Sequence, residues 1–161
     1  MTSRERIMLA LQHKEADRVA IQDSPWDTTI RRWRKEGLPA GESPGSFFNY
    51  EMVSISADLS FRLPTETVKE TDDYTIVRNS NGVLHKNWRN ATSTPELLGF
   101  AVNSSKAWEE HKPRLKYDES RVDWKNAIAA YNNARKSGKY ICYAGAIGYD
   151  KWANIIGPET F

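Results

Sequence analysis

Met1 to Ile21, MTSRERIMLALQHKEADRVAI, is the stretch whose reading decides the fold. Thr2 and Glu5 stand three residues apart ahead of an apolar run, the spacing of a capping box, so a helix is expected to start here. Ile7, Ala10 and Leu11 recur at helical spacing and predict one inward stripe. His13 to Asp17 interrupt that period with charge, and Arg18 leads into Val19-Ala20-Ile21, which reads as a short buried strand. A helix, a turn and a strand therefore open the chain.

Working outward, Trp26 to Glu36 reads as a second helix, stopped by Gly37 and closed off by Pro39. Ala40 to Ser46 is a loop rich in Gly, Ser and Pro. Ser54 to Phe61 alternates Ile55, Ala57, Leu59 and Phe61 against polar or small neighbours, the period of a strand ended by Pro64. Tyr74 to Arg78 and Val83 to Trp88 flank Ser80-Asn81-Gly82, and Asn-Gly tolerates the positive φ of a tight hairpin turn. Thr94-Pro95 and Ser104 or Ser105 look like caps of two short helices, the second ending before Pro113. Asp118 to Ser137 forms a longer helix, with Trp124, Ala127, Ile128, Tyr131 and Ala134 on one stripe and Gly138 at its end. Lys139 to Ala144 is a strand and Tyr149 to Ile156 a helix stopped by Gly157-Pro158. This order is mixed α/β, without repeats or low-complexity segments.

At 161 residues, 39% hydrophobic and 27% charged, the chain has the composition of one soluble globular domain. The 23 basic and 21 acidic side chains nearly cancel, so whole-molecule charge gives no case for nucleic acid or an anionic membrane. No apolar run reaches the roughly 18 to 20 residues of a membrane span, and the charged first helix is unlike a signal peptide, which makes a cytoplasmic protein the expectation. Cys142 is alone, so it forms no disulfide within the chain, and its neighbours predict a buried strand thiol. His13, His85 and His111 are scattered without ligand spacing, and no metal site is readable.

Thr2, Arg4, Glu5, Arg6, Ala10 and Leu11, followed by Asp17, Arg18, Val19 and Ile21, resemble the opening of the uroporphyrinogen decarboxylase superfamily. Its members begin T-x-R-E-R-x-x-x-A-L and continue D-R-V-P-hydrophobic, with Ala20 here in place of the proline. The hairpin around Asn81-Gly82, Trp108 to Leu115 and Gly145 to Phe161 look like the same superfamily. The resemblance implies an eight-stranded (β/α) barrel, of which this chain would supply the first two or three βα units with an N-terminal helix and an inserted hairpin. A barrel of that type takes about 250 residues, so a truncated or split form is expected.

True porphyrinogen decarboxylases carry an M-R-Q-A-G-R motif after the first strand, whose arginines meet substrate carboxylates. Those positions fall on Pro25 and Thr29, so bidentate reading of several carboxylates is missing. The departure points to the branch that looks like corrinoid-dependent methyltransferases and demethylases. There a zinc ion and a corrinoid protein serve the full-length relatives, and the substrate is a small methylated or carboxylated molecule. Chemistry in such barrels gathers at the carboxyl ends of strands, which places Gln22, Asp23 and Trp26 as substrate-binding candidates. Asp23 serves equally as a helix cap. Asp58, in SADLSFRLP, falls near the decarboxylases' catalytic aspartate and is the catalytic candidate, with a strand-end role as its alternative.

Arg31-Arg32-Trp33-Arg34-Lys35 is the densest positive charge, but successive helical residues turn by about 100°, which spreads it around the cylinder. A partial barrel leaves sheet edges unpaired, so a homo-oligomer or a complementing C-terminal half is expected. The alternative to an enzyme is a non-enzymatic binding or assembly module using a Trp-rich surface that includes Trp26, Trp33 and Trp88.

Overall fold

The computed structural model of the chain describes residues 1–91, 94–145 and 148–158. The chain divides into two compact units, one of Met1–Ala57 with Val122–Ala144, the other of Asp58–Arg121 with Gly145–Phe161.

In the first unit, helix α1 (Ser3–Leu11) starts at the expected capping box. The Glu5 amide donates to Thr2 Oγ1 at 3.2 Å, and the Thr2 amide donates to Glu5 Oε2 at 2.8 Å. The expected apolar stripe is corrected: Ile7 is buried, but Ala10 and Leu11 are exposed, and the second buried residue of the helix is Arg6. The reason is that α1 is held by charge. The Arg6 guanidinium grips Asp17 with two bonds, Nε to Oδ1 at 2.6 Å and Nη2 to Oδ2 at 2.8 Å, and donates through Nη1 to Glu51 Oε2 at 2.6 Å.

The buried strand expected at Val19-Ala20-Ile21 is also corrected. Val19 is 86% exposed, Ile21 is exposed, and neither belongs to a ladder. This segment meets strand β1 (Met52–Ile55) through one main-chain bond, the Glu51 amide to the Ile21 carbonyl at 2.9 Å. Side-chain oxygens supply further contacts: the Met52 amide donates to Gln22 Oε1 at 3.1 Å, and the Ile21 amide to Glu51 Oε1 at 3.3 Å.

Helix α2 (Asp27–Glu36) ends as expected at Gly37, whose φ of 119° suits a residue without Cβ. A single turn, α3 (Pro44–Phe47), leads into β1. Strand β6 (Tyr140–Tyr143) pairs with β1 in parallel, Met52 opposite Tyr140 and Ile55 opposite Tyr143. Helix α5 (Trp124–Ser137) packs on both strands; Asp123 caps it, accepting from the Asn126 amide at 3.1 Å. The expected start at Asp118 comes too early. Asp118 Oδ1 takes the Ser120 amide at 2.9 Å, and Glu119–Arg121 forms a 3-10 turn. At the far end of α5, the Arg4 amide donates to the Gly138 carbonyl at 2.9 Å and ties the chain's start to the turn before β6.

The second unit carries an antiparallel sheet in the order β2 (Glu66–Glu70), β3 (Tyr74–Arg78), β4 (Leu84–Trp88), β5 (Glu96–Gly99). The expected hairpin is β3–β4. Asn79 organises its turn by accepting the Asn81 and Val83 amides on its side-chain oxygen at 2.9 and 3.0 Å. Gly82 has φ 75°, and a Cβ there would lie 2.4 Å from the Ala101 Cβ. The helix expected after Thr94-Pro95 is corrected to strand β5, because pairing with β4 overrides the local start signal.

Helix α4 (Ser105–His111) is capped by Ser104, which accepts the Ala107 amide at 3.2 Å, and continues into a 3-10 turn, Lys112–Leu115. Helix α6 (Tyr149–Ile156) lies where expected. Phe61, Val102 and Ile155 form the core of this unit, with Leu63, Trp108, Leu115, Trp152 and Ile156 packed against it. The strand expected over Ser54 to Phe61 therefore ends at Ile55, and Phe61 belongs to the second unit's core.

The mixed helix and strand class holds, with one small parallel sheet and one antiparallel sheet. Among the described residues the ladders show no partial barrel: the parallel sheet has two strands where two or three βα units were expected. Of the Gly145 to Phe161 stretch that carries part of the resemblance, residues 146, 147 and 159–161 lie outside the described residues.

Candidate functional site

In the second unit a cavity of about 300 Å³ opens among Asp58, Leu59, Leu115, Arg121, Lys151 and Trp152. Its frame is the buried Arg121, which donates to the carbonyls of Lys116 at 3.0 Å, Asp58 at 2.7 Å, Ser60 at 3.1 Å and Arg114. The Asp58 amide donates back to the Arg121 carbonyl at 2.7 Å. One cation thus closes four main-chain acceptors, which fixes the loop that presents Asp58 and Leu59.

Asp58 is well partnered within that loop. Its Oδ1 accepts from the Ser60 amide at 2.9 Å and the Ser60 hydroxyl at 2.6 Å, and its Oδ2 accepts from Arg62 Nε at 2.7 Å. Burial alone would push this carboxyl up; the Ser60 and Arg62 bonds outweigh it and hold the pKa down to about 2. Arg62, with φ 54°, also reaches Asp118 and Ser120. Asp58 is therefore ionised at neutral pH and oriented by three donors.

Lys151, on the first turn of α6, donates through Nζ to the Leu59 carbonyl at 3.0 Å. Burial lowers its pKa, and the Asp58 charge partly offsets that. The cavity thus combines a fixed carboxylate, a partly dehydrated amine and an indole wall. Such a set can hold a small polar molecule between charges of both signs, with Lys151 meeting its anionic end.

Gln22, Asp23 and Trp26 belong to the first unit and Asp58 to the second. Gln22 spends its carbonyl on the Met52 amide. Asp23 accepts the amide of Ser24 at 2.7 Å, and the α2 cap position is taken by Trp26 through its backbone, so Asp23 is not the cap. Trp26 is exposed. Behind this edge the Tyr50 hydroxyl is buried, and among the described residues it has no hydrogen-bond partner; burial and the Asp23 charge push its pKa up.

Cys142 is half-buried, its sulfur 3.5 Å from Ser54 Oγ. His85 Nε2 meets Asn79 Nδ2 at 3.0 Å, and burial lowers its pKa. His111 Nδ1 donates to the Ala107 carbonyl at 2.8 Å, and its ring meets Phe61 edge-on with centroids 5.5 Å apart. Among the described residues no three His, Cys, Asp or Glu side chains are grouped to hold a metal. The basic run on α2 is dispersed: Arg32 pairs with Glu36 at 3.2 Å, Arg34 binds the carbonyls that follow the helix, and Trp33 packs edge-on against Phe48. No described helix is long and apolar enough to cross a membrane.

Sequence reasoning missed Arg121, Lys151 and Glu51. Lys151 and Arg121 look like solvated surface charges, and only their long-range carbonyl partners mark them out. Glu51 precedes an apolar run with no spacing signal, yet its side chain is fully buried between Arg6 and Arg18. Searches against protein-family models, curated proteins and solved structures find no match to the chain.

Proposed function

We propose that this chain is the N-terminal part of a uroporphyrinogen decarboxylase-like (β/α) barrel enzyme that acts with a corrinoid protein in methyl transfer or demethylation of a small substrate. The observation that carries this reading is the order of its extended segments. Strand β1 pairs in parallel with β6, helix α5 lies between them in the chain and packs on both, and the 19–22 stretch meets the start of β1 through one main-chain bond. Parallel neighbours joined through helices are the repeating unit of such barrels. The Arg6, Asp17 and Arg18 positions that carry the resemblance also make one connected network, as a shared structural signature would.

In this reading Asp58 and Lys151 orient the substrate within the second unit's cavity. Porphyrinogen decarboxylation is disfavoured because Pro25 and Thr29 occupy the arginine positions. A homo-oligomer or a complementing half fits the open flank of β6, which has no second neighbour among the described residues. It also fits the groove of about 360 Å³ lined by Ile55, Ala57, Trp124, Ile128, Tyr131 and Tyr143, in which the three aromatic rings and Ile128 are exposed.

The test uses the product of the native gene, incubated with reduced corrinoid and a panel of small methylated ethers, amines and acids. Mass spectrometry should detect a demethylated product that depends on the corrinoid, and Lys151→Gln should reduce its yield. Absence of demethylation across the panel would refute the enzyme reading. The open α5 face would then favour the second reading, a binding or assembly module.

A further inference from the structure

A second cavity of the same unit, about 490 Å³, is lined by Val102, Trp108, Glu109, Trp152 and Ile156 beside Ser104 and Ser105. Trp108 and Trp152 meet nearly at right angles, 83° between planes with centroids 5.6 Å apart, so the two indoles form adjoining walls. Phe61 backs Trp108 edge-on at 6.5 Å and fixes that wall to the core. Val102 and Ile156 complete an apolar lining. Glu109, next to Trp108 on α4, brings the lining's charged group, and it is negative.

We infer that this cavity binds a methylated ammonium cation. Indole faces attract positive charge through the ring quadrupole, and two such walls at right angles surround a cation on adjacent sides. The two indoles, Val102 and Ile156 offer no oxygen acceptor, and the side-chain acceptors of the lining are Ser104, Ser105 and Glu109. A methyl-covered cation has no N–H to satisfy, is drawn to the aromatic faces and presents apolar surface to Val102 and Ile156. The Glu109 carboxylate attracts cations and repels anions at the rim. Its present partner is Lys112, 2.7 Å away on the following turn, an exposed pair of the weak kind that a bound cation can displace. The inference holds whether or not the chain transfers methyl groups.

The six tryptophans give six indole N–H signals, which variants assign one at a time. Titration of the intact protein with choline or tetramethylammonium should shift the Trp108 and Trp152 signals. The neutral isostere 3,3-dimethyl-1-butanol should bind roughly tenfold more weakly, since it fills the same volume without the cation–π attraction of two indoles. Glu109 is exposed and away from the core, so Glu109→Gln should keep the fold and weaken choline binding by about two- to threefold. Trp108→Phe should retain part of the affinity, and Trp152→Leu should remove it. Equal affinity for choline and the neutral isostere would overturn the inference, leaving only an apolar hole. So would shifts confined to the other four indoles, or none at all.

Discussion

Replacing Glu51 with glutamine should loosen the first unit while leaving the second unit's sheet untouched. The Glu51 side chain has no solvent exposure and accepts three bonds: Arg6 Nη1 at 2.6 Å, Arg18 Nη1 at 2.5 Å and the Ile21 amide at 3.3 Å. Glutamine keeps the shape but turns one acceptor into a donor aimed at a guanidinium. Loss of one charged hydrogen bond costs about 1.5 to 3 kcal/mol. Full removal of one partner of a buried pair costs about 3 to 5 kcal/mol, but Arg6 keeps Asp17 and Arg18 is 44% exposed, so the lower range applies. The expected loss of about 2 to 3 kcal/mol corresponds to a roughly 30- to 150-fold increase in local opening. Native-state hydrogen exchange reads this directly at the amides of Met8 and Val53, with Ile76 and His85 of the β3–β4 hairpin as internal controls. Less than about a threefold change at Met8 and Val53 would refute the argument. Removing both charges, as in Arg6→Met with Glu51→Leu, should cost less than the two single changes added together, because neither then leaves a buried charge alone.

Acid should unfold the protein between about pH 4 and 2. Asp17 and Asp58 have folded pKa values of about 2 against 3.8, and Glu51 is lowered in the same direction, so their stabilisation is complete above the unfolded values and is lost as pH falls through the folded ones; circular dichroism against pH checks this. Gly82→Ala should destabilise the hairpin by roughly 2 kcal/mol or more, from positive φ and overlap with Ala101, seen as lost amide protection in β3 and β4 but not in β6. Ile128→Gln, at a site 56% exposed, should change stability by about 0.5 kcal/mol or less, while sedimentation velocity should show less self-association if the groove joins two copies.

What the sequence revealed was local. Thr2 and Glu5, Ser104, Asn81-Gly82, Gly37 and Gly138 act over a few residues, and each does in the fold what its spacing implies. What it concealed depends on distant partners. Strand β2 is exposed along its whole length, so Glu66 to Glu70 shows no alternation, and only pairing with β3 makes it a strand. The alternation from Ile55 to Phe61 is genuine, yet its residues serve two different units, so the period runs through a place where the strand has ended. Val19 and Ile21 are apolar but exposed, while the buried groups nearby are the charged Arg6 and Glu51, the reverse of what hydropathy assigns. Asp58 entered as a candidate only through the resemblance of SADLSFRLP to the decarboxylases; the arginine that shapes its loop lies 63 residues away.

The pairing of β1 with β6 dictates an order of events. Met52 waits for Tyr140, whereas every strand of the antiparallel sheet finds its partner between residues 66 and 99. As the chain leaves the ribosome, the hairpin and its flanking strands have all their partners while β1 is still single, because non-local pairing pays its loop entropy first. The Arg4 amide waits longest of all at its end of the chain, since the Gly138 carbonyl it binds is made 134 residues later. An interrupted synthesis would therefore release a chain with a formed sheet and a first helix lacking its bond to Gly138, while Glu51 would hold Arg6 and Arg18 beside a strand with no neighbour.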